Sequence, residues 1–387
     1  MPGKDEKFAM TNFIQEVCEE IGPRLGTYSQ EKQAGLKIKE ILDKKVDEVI
    51  LEDFICHPAG FLQFTRVAWI GVIIGTIFFW WLPIISSIFY IYALTTYVFE
   101  QMYLKEYVDF FFSQRTGTNV IGKLKSAREP QQIVICSAHH DSAYEFPLFA
   151  KFKSKFGLLA YSTAFTIILS ALAAYIKFIL DWFKISSLGS NLILLCLPLL
   201  CIIMTGYLAF KLHSNLVIPG ANDNLSGVAV VLALAHQFAA QRLNNIELWF
   251  ISFSCEECMR GSKRFVQMHH DELKPIKTIN FDMVGKGEIC VISAEPYYTT
   301  KHSFDLAKEF QTATDLPIKV VHFGGTDAAS FSKKGFQAIS LVGLTPQNYP
   351  DTWHEMSDTP KIIEPEKLEK TLQATIQYLQ NLDSSLN

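Results

Sequence analysis

The chain has 387 residues, 49% of them hydrophobic, and a formal net charge of −4. That length supplies the core of one large domain or two small ones. The acidic balance, without a run of five or six like charges, excludes the basic footprint of a nucleic-acid binder.

The first twenty residues hold no apolar segment of the kind a secretory signal carries, so the polar part is expected to start in the cytosol. "TNFIQEVCEEIGPRLG" (11–26) and "SQEKQAGLKIKEILDKK" (29–45) have helical periodicity, separated by Gly22-Pro23, with Ser29 as N-cap. "DEVILEDF" (47–54) predicts a half-buried strand. From Val67 to Phe99 no charged residue occurs. One helix of that length would run about 50 Å, whereas a break near Pro83 gives two arms of about 24 Å, so a short membrane hairpin or re-entrant insert is expected over 66–99.

"GTNVIGKLK" (117–125) and "QQIVICSA" (131–138) read as a half-buried and a buried strand, the second running into "SAHHDS". A second apolar region, Phe156 to Phe210, splits at "DWFKISSLGSN" into halves each long enough to cross a bilayer of roughly 30 Å. Lys151, Lys153 and Lys155 before it and Lys211 after it, against Asp181 and Lys184 in its central loop, assign both of its ends to the cytosol. Beyond it come a helix at 226–243, strands at 246–253, 278–285, 289–294, 318–323 and 338–342, and a last helix at 364–382. The fold class expected is α/β, a mixed, mostly parallel central sheet with helices on both faces, interrupted by two transmembrane helical inserts. Residues 1–65, 100–155 and 211–387 would form one catalytic domain around inserts 66–99 and 156–210.

Five stretches place acids or histidines where strands should end, which is where open α/β sheets put their sites. They are "SAHHDS" with His139, His140 and Asp141, "PGANDNLSG" with Asp223, "SCEECMRGS" with Glu256 and Glu257, "NFDMVG" with Asp282, and "TWHEMSDT" with His354 and Asp358. Each alone is weak: an Asp after Asn222 is commonly an Asx turn or an N-cap. In order and spacing, together with "IGPRLGTYSQE", they resemble the co-catalytic di-zinc aminopeptidase and glutamate carboxypeptidase family. The resemblance implies that His139 and Asp282 hold one zinc, Glu257 and His354 the other, that Asp223 bridges the two, that Glu256 is the general base, and that Asp141 orients His139. It also implies a cis Asp223–Asn224 peptide. Imidazole and carboxylate donors suit zinc, and two ions about 3.5–4 Å apart share a water and polarise a carbonyl.

Cys255 and Cys258 bracket the glutamates, yet no second CxxC exists to complete a structural zinc site, and they are expected to be small buried neighbours of the Glu pair. The eight cysteines, lacking scaffold-like spacing, read as free thiols in a reducing compartment. "GGTDAASFSKKG" resembles the family's late loop near substrate, although Thr326 or Asp327 equally suits a plain N-cap. Arg260 is near enough in sequence to be considered as a cation for an acidic substrate. His140 offers itself as a rival ligand, and the His-x-Asp spacing favours His139. The function expected is a membrane-embedded, multi-pass, zinc-dependent exopeptidase, an aminopeptidase facing the cytosol, whose partners are a peptide and the bilayer. The alternatives are a single-zinc glutaminyl-cyclase-like acyltransferase and an inactive membrane scaffold.

Overall fold

The computed structural model describes residues 8–273, 276–322 and 324–386. In chain order the elements begin with α1 (Met10–Glu20), α2 (Ser29–Asp43) and β1 (Glu48–Cys56), followed by α3 (Pro58–Phe78) and α4 (Pro83–Thr96). Next come β2 (Arg115–Leu124), β3 (Gln132–His139), α5 (Pro147–Phe152), α6 (Phe156–Trp182) and α7 (Leu188–Lys211). After these lie α8 (Ser226–Ala240), β4 (Ile246–Phe253), α9 (Gly261–Met268), β5 (Ile276–Asp282), β6 (Glu288–Glu295) and β7 (Thr300–Lys301). The chain closes with α10 (Phe304–Thr314), β8 (Ile318–Val320), α11 (Ala328–Ser332), β9 (Gln337–Leu344) and α12 (Pro365–Ser385). Two compact units result, one of residues 1–56, 114–145 and 215–387, the other of residues 57–113 and 146–214.

The first unit is built on a sheet of order β1-β2-β4-β3-β5-β9-β6-β7, with β8 beside β6. Its centre, β4-β3-β5-β9, is parallel throughout, and its β1-β2-β4 and β9-β6-β7 flanks are antiparallel. Central parallel strands are buried on both faces, which is why β3 and β4 read as near-continuous apolar runs. On one face α8 packs with α1, α10 and α12, bringing Val228, Val231 and Leu234 against Phe281, Phe310 and Leu372. Every side chain from Val228 to Ala235 is buried, and each Val or Leu so enclosed contributes about 1.5–3 kcal/mol. On the other face α9 and α11 set Phe265 and Phe331 against Trp249 and Phe253. This bears out the mixed α/β class, with a parallel centre and one further parallel pair, β6-β8, outside it.

The second unit packs α3, α4, α6 and α7 around Val72, Tyr90, Ala173, Ala174 and Cys201. Pro58 and Pro83 stand at the first turns of α3 and α4, where the missing N–H is harmless, and the chain turns between them at 79–82. A π-helical stretch, Tyr97–Met102, continues α4 directly. Ser187 caps α7, its Oγ accepting from Ser190 N at 3.1 Å while its own N–H donates to Ser190 Oγ at 2.9 Å. Among the described residues, three helices are long and apolar enough to cross a membrane: Pro58–Phe78, Phe156–Trp182 and Leu188–Lys211. They leave large apolar side chains such as Leu158, Ile193 and Ile203 exposed.

Candidate metal centre

All the sequence-read site residues converge at one end of the four parallel strands. His139 is the last residue of β3 and Asp282 the last of β5, while Glu256 and Glu257 follow β4 and His354 follows β9. Asp223 enters from the segment before α8. Its Oδ1 lies 3.4 Å from His139 Nε2 and its Oδ2 3.4 Å from His354 Nε2, so one carboxylate spans two imidazoles. His139 Nε2 is 3.9 Å from Asp282 Oδ1 and 3.7 Å from Glu256 Oε2, and His354 Nε2 is 3.1 Å from Glu257 Oε2. The Asp223–Asn224 peptide is cis.

The motif residues around these groups brace them. Asp358 accepts the backbone N–H of Asn222 at 2.7 Å and of Asp223 at 2.9 Å. Asn224 bonds Phe281 O and Met283 N, Ser226 accepts Val284 N, and Asn222 accepts Gly285 N, which stitches "NDNLS" to "FDMVG". Arg24, fully buried, donates to the carbonyls of Gly22, His140, Pro219 and Gly220. A planar cation with five fixed donors is suited to such a set of acceptors.

The glutamate loop is shaped by two left-handed residues, Cys255 and Met259, both with φ of 54°, on either side of a single 3₁₀ turn. Such backbone in non-glycine residues is sustained by its surroundings. Here Asp141 Oδ1 accepts Glu256 N–H at 3.0 Å and Oδ2 accepts Glu257 N–H at 3.2 Å, while Oδ1 also lies 3.3 Å from His139 Nδ1. Glu31 Oε1 accepts Cys255 N–H at 2.9 Å. Arg260 is buried and donates to the carbonyl of Cys258, so it holds the loop rather than offering a charge to substrate. His140 turns away from the centre, with Nδ1 2.9 Å from Ser252 Oγ, and burial pushes it down to about 4.

Two readings need correction. Cys255 and Cys258 are not free thiols: they form a disulfide, their Cα atoms 5.6 Å apart, because residues three apart on one helical turn face the same side. Among the described residues, cysteines 18, 136, 196, 201 and 290 are free. Asp327 precedes α11 but makes no side-chain cap. Its carboxylate is wholly buried, neither oxygen has a hydrogen-bond partner among the described residues, and it raises the proton affinity of both Glu256 and Asp282. Sequence reasoning missed it because an Asp before a short helix has an ordinary explanation.

Five carboxylates, of Asp223, Glu256, Glu257, Asp282 and Asp327, thus share one buried region with two imidazoles. Burial drives Glu256 and Asp282 well above the usual carboxylate range and Glu257 upward. Burial alone would depress His139 and His354, but the carboxylates around them outweigh it and lift both. Burial likewise works against ionised Asp223, yet the two histidines keep its carboxyl below the usual value. Burial lifts Asp327 and Asp358 to about 7. Uncompensated like charges in a dry site are costly, and divalent cations are what commonly offset them. One ligand atom each of His139, Asp223 and Glu257 lies within 4.8 Å of the others, and Asp223 Oδ2 and Glu257 Oε1 are buried without a hydrogen-bond partner. Nitrogen and carboxylate donors at this spacing fit zinc.

Residues 208–379 match the model of Peptidase family M28. A search of curated proteins returns no match. Among solved structures the chain resembles BSAP, a zinc aminopeptidase from Bacillus subtilis, with 16% identity and a TM-score of 0.56 over 98% of this chain and 96% of that one. It is similar to the aminopeptidase from Aneurinibacillus sp. strain AM-1 at 15% identity and TM-score 0.57, covering 97% and 94%. It is also similar to the Fimbriiglobus ruber glutaminyl cyclase at 12% identity and TM-score 0.56, covering 98% and 96%. The resemblance to co-catalytic zinc exopeptidases read from the sequence is borne out, on a metallopeptidase fold.

Proposed function

We propose that the chain is a membrane-bound, zinc-dependent exopeptidase of aminopeptidase type. The observation that carries this is the Asp223 carboxylate placed between His139 and His354, each histidine with a second carboxylate, Asp282 or Glu257, beside it. Two donor sets sharing one bridging residue are the arrangement a pair of zinc ions requires. Bound there, zinc would acidify a water and polarise the scissile carbonyl. Glu256 would take the proton of the attacking water and return it to the departing amine. Asp141 holds the His139 ring and the Glu256 and Glu257 backbone in register.

The substrate is a peptide, and the second unit lies in the bilayer. The basic residues flanking 156–210 assign the catalytic unit to the cytosolic side, whereas a Cys255–Cys258 disulfide that persists in the cell would assign it to an oxidising compartment. Labelling of single engineered cysteines by an impermeant maleimide in intact cells separates the two.

The decisive experiment measures zinc per chain on detergent-solubilised protein, with Asp223→Ala as control, alongside turnover of aminoacyl-p-nitroanilides and of peptides with N-terminal glutamine. About two zinc ions, lost in the variant, with anilide hydrolysis are expected. One zinc with cyclisation would replace this reading by the cyclase one, which the Fimbriiglobus ruber likeness supports. No zinc and no turnover would leave an inactive scaffold.

A further inference from the structure

We propose that Glu295 is a positioning residue for the candidate metal centre, the terminus of a row of buried polar side chains that runs beneath the centre from strand to strand. Ser137 on β3 donates to Asn280 Oδ1 on β5 at 2.9 Å, and Asn280 Nδ2 faces Ser340 Oγ on β9 at 3.5 Å, the longest step of the row. Ser340 Oγ lies 2.6 Å from Thr326 Oγ1, which in turn donates at 2.7 Å to Oε1 of Glu295, the last residue of β6. His302 Nε2 stands 3.2 Å from the same oxygen, whereas Oε2 is buried without a hydrogen-bond partner among the described residues. Ser137, Asn280, Ser340 and Glu295 are fully buried, and the hydrolysis proposed above uses none of them.

The row has a direction, because a hydroxyl holds a single proton. That of Thr326 goes to Glu295, so Thr326 accepts from Ser340. The Ser340 proton is then spent, and Ser340 accepts from the Asn280 amide while Asn280 Oδ1 accepts from Ser137. Every donor thus points along the row toward one carboxylate, and hydrogen bonds aligned in this way strengthen one another in a low-dielectric interior. Strand register sets Ser137 beside Asn280 and Asn280 beside Ser340. Side chains two residues apart share a face of a strand, so Ser137 lies one step below His139 and Asn280 one step below Asp282, while Thr326 directly precedes Asp327. One buried acceptor thereby orders the side chains that underlie three members of the acidic centre.

This inference rests on the zinc reading above, and its test separates the two. Ser137 and Glu295 stand three strand spacings apart, about 14 Å across the sheet. Sites so distant that share no partner are additive to within about twofold in an equilibrium constant. Full-length protein in detergent, as wild type, Glu295→Met, Ser137→Ala and the double variant, is measured for zinc affinity by chelator competition and, once stripped of zinc, for its thermal midpoint. Glu295→Met is expected to weaken zinc binding by about 10–100-fold. Glu295→Gln, which keeps an acceptor for Thr326 at the same volume, should restore most of it. The Ser137 and Glu295 changes should be non-additive in both readouts, and Thr326→Val, which keeps the shape and removes the linking hydroxyl, should abolish that coupling. Additive effects, or equal zinc affinity in Glu295→Met and Glu295→Gln, overturn the proposal. So does coupling confined to the zinc-free midpoint, which would make the row a structural brace alone. Should Glu295→Met not fold, the cycle of Thr326→Val with Ser137→Ala decides by the same criteria. A wild type that binds no zinc would remove the peptidase reading and the positioning role with it, an outcome seen before any variant is made.

Discussion

Replacing Asp141 with asparagine keeps its volume and removes one acceptor from a group that takes two backbone N–H bonds and faces one imidazole. Asp141 Oδ1 faces both His139 Nδ1 at 3.3 Å and Glu256 N–H at 3.0 Å, and Oδ2 accepts Glu257 N–H at 3.2 Å. The amide oxygen of asparagine best takes the Oδ1 position, leaving its NH₂ pointed at the Glu257 N–H, donor against donor. A hydrogen bond to a charged partner contributes about 1.5–3 kcal/mol, and a buried donor left unmade costs a similar amount. At about 1.4 kcal/mol for each tenfold change, the loss of one such bond corresponds to roughly 10–100-fold. The expected result is a fall of that size in kcat/KM, together with weaker zinc binding in a chelator competition, because Glu257 is the ligand released. Flipping the amide moves the damage to His139 and Glu256 but does not abolish it. If Asp141→Asn matched wild type within about twofold in both kcat/KM and zinc affinity, the brace described here would be irrelevant to function.

Glu256→Gln is expected to lower kcat by about 10²–10⁴ with zinc content unchanged; a variant keeping most of its turnover would remove Glu256 as the base. Arg24→Lys should lower the melting temperature and the zinc content together, since one ammonium cannot reach four carbonyls set for a guanidinium, and differential scanning fluorimetry with elemental analysis checks it. Gly261→Ala drives a methyl group into the Ser254 carbonyl and to 3.0 Å from Asn119 Oδ1, which should cost about 1–3 kcal/mol in denaturant unfolding. An unchanged midpoint would mean that the turn after the glutamates yields freely.

Most of the site was legible because strand ends carry it. A buried parallel strand announces itself as an apolar run, and the polar residue that stops the run is the one placed at the sheet's edge, as at His139 and Asp282. The bracing residues Asn222, Asn224, Ser226 and Asp358 were visible as motif letters, but their partners were not, since hydrogen bonds between segments more than fifty residues apart leave no local period. Arg260 and Asp327 misled for the opposite reason. Each suggested another role in sequence, a cation for an acidic substrate or a helix cap, and only burial shows that the first clamps carbonyls and the second joins the acidic cluster. The disulfide was hidden by composition: eight cysteines without pattern suggest thiols, and the short 3₁₀ turn that pairs two of them depends on left-handed backbone that no propensity scale indicates.

The interruptions themselves follow from the sheet. β1 and β2 pair antiparallel over their whole lengths, from Glu48 opposite Lys123 to Cys56 opposite Arg115, so the 57–113 insert departs and returns at neighbouring residues of one strand pair. Tyr144 pairs with Val217 in the same antiparallel sense, which does for the 146–214 insert what Cys56 and Arg115 do for the first. Each insert is therefore an enlarged hairpin loop, and enlarging a loop costs only slowly growing entropy once its ends are fixed by a ladder. Such an insert can fold its own apolar core, as α3, α4, α6 and α7 do, without altering the register of the strands that carry the candidate site. Among the described residues α3, α6 and α7 are long and apolar enough to cross a bilayer, and Pro83 to Met102, α4 continued by its π-helical end, spans about 30 Å of helix.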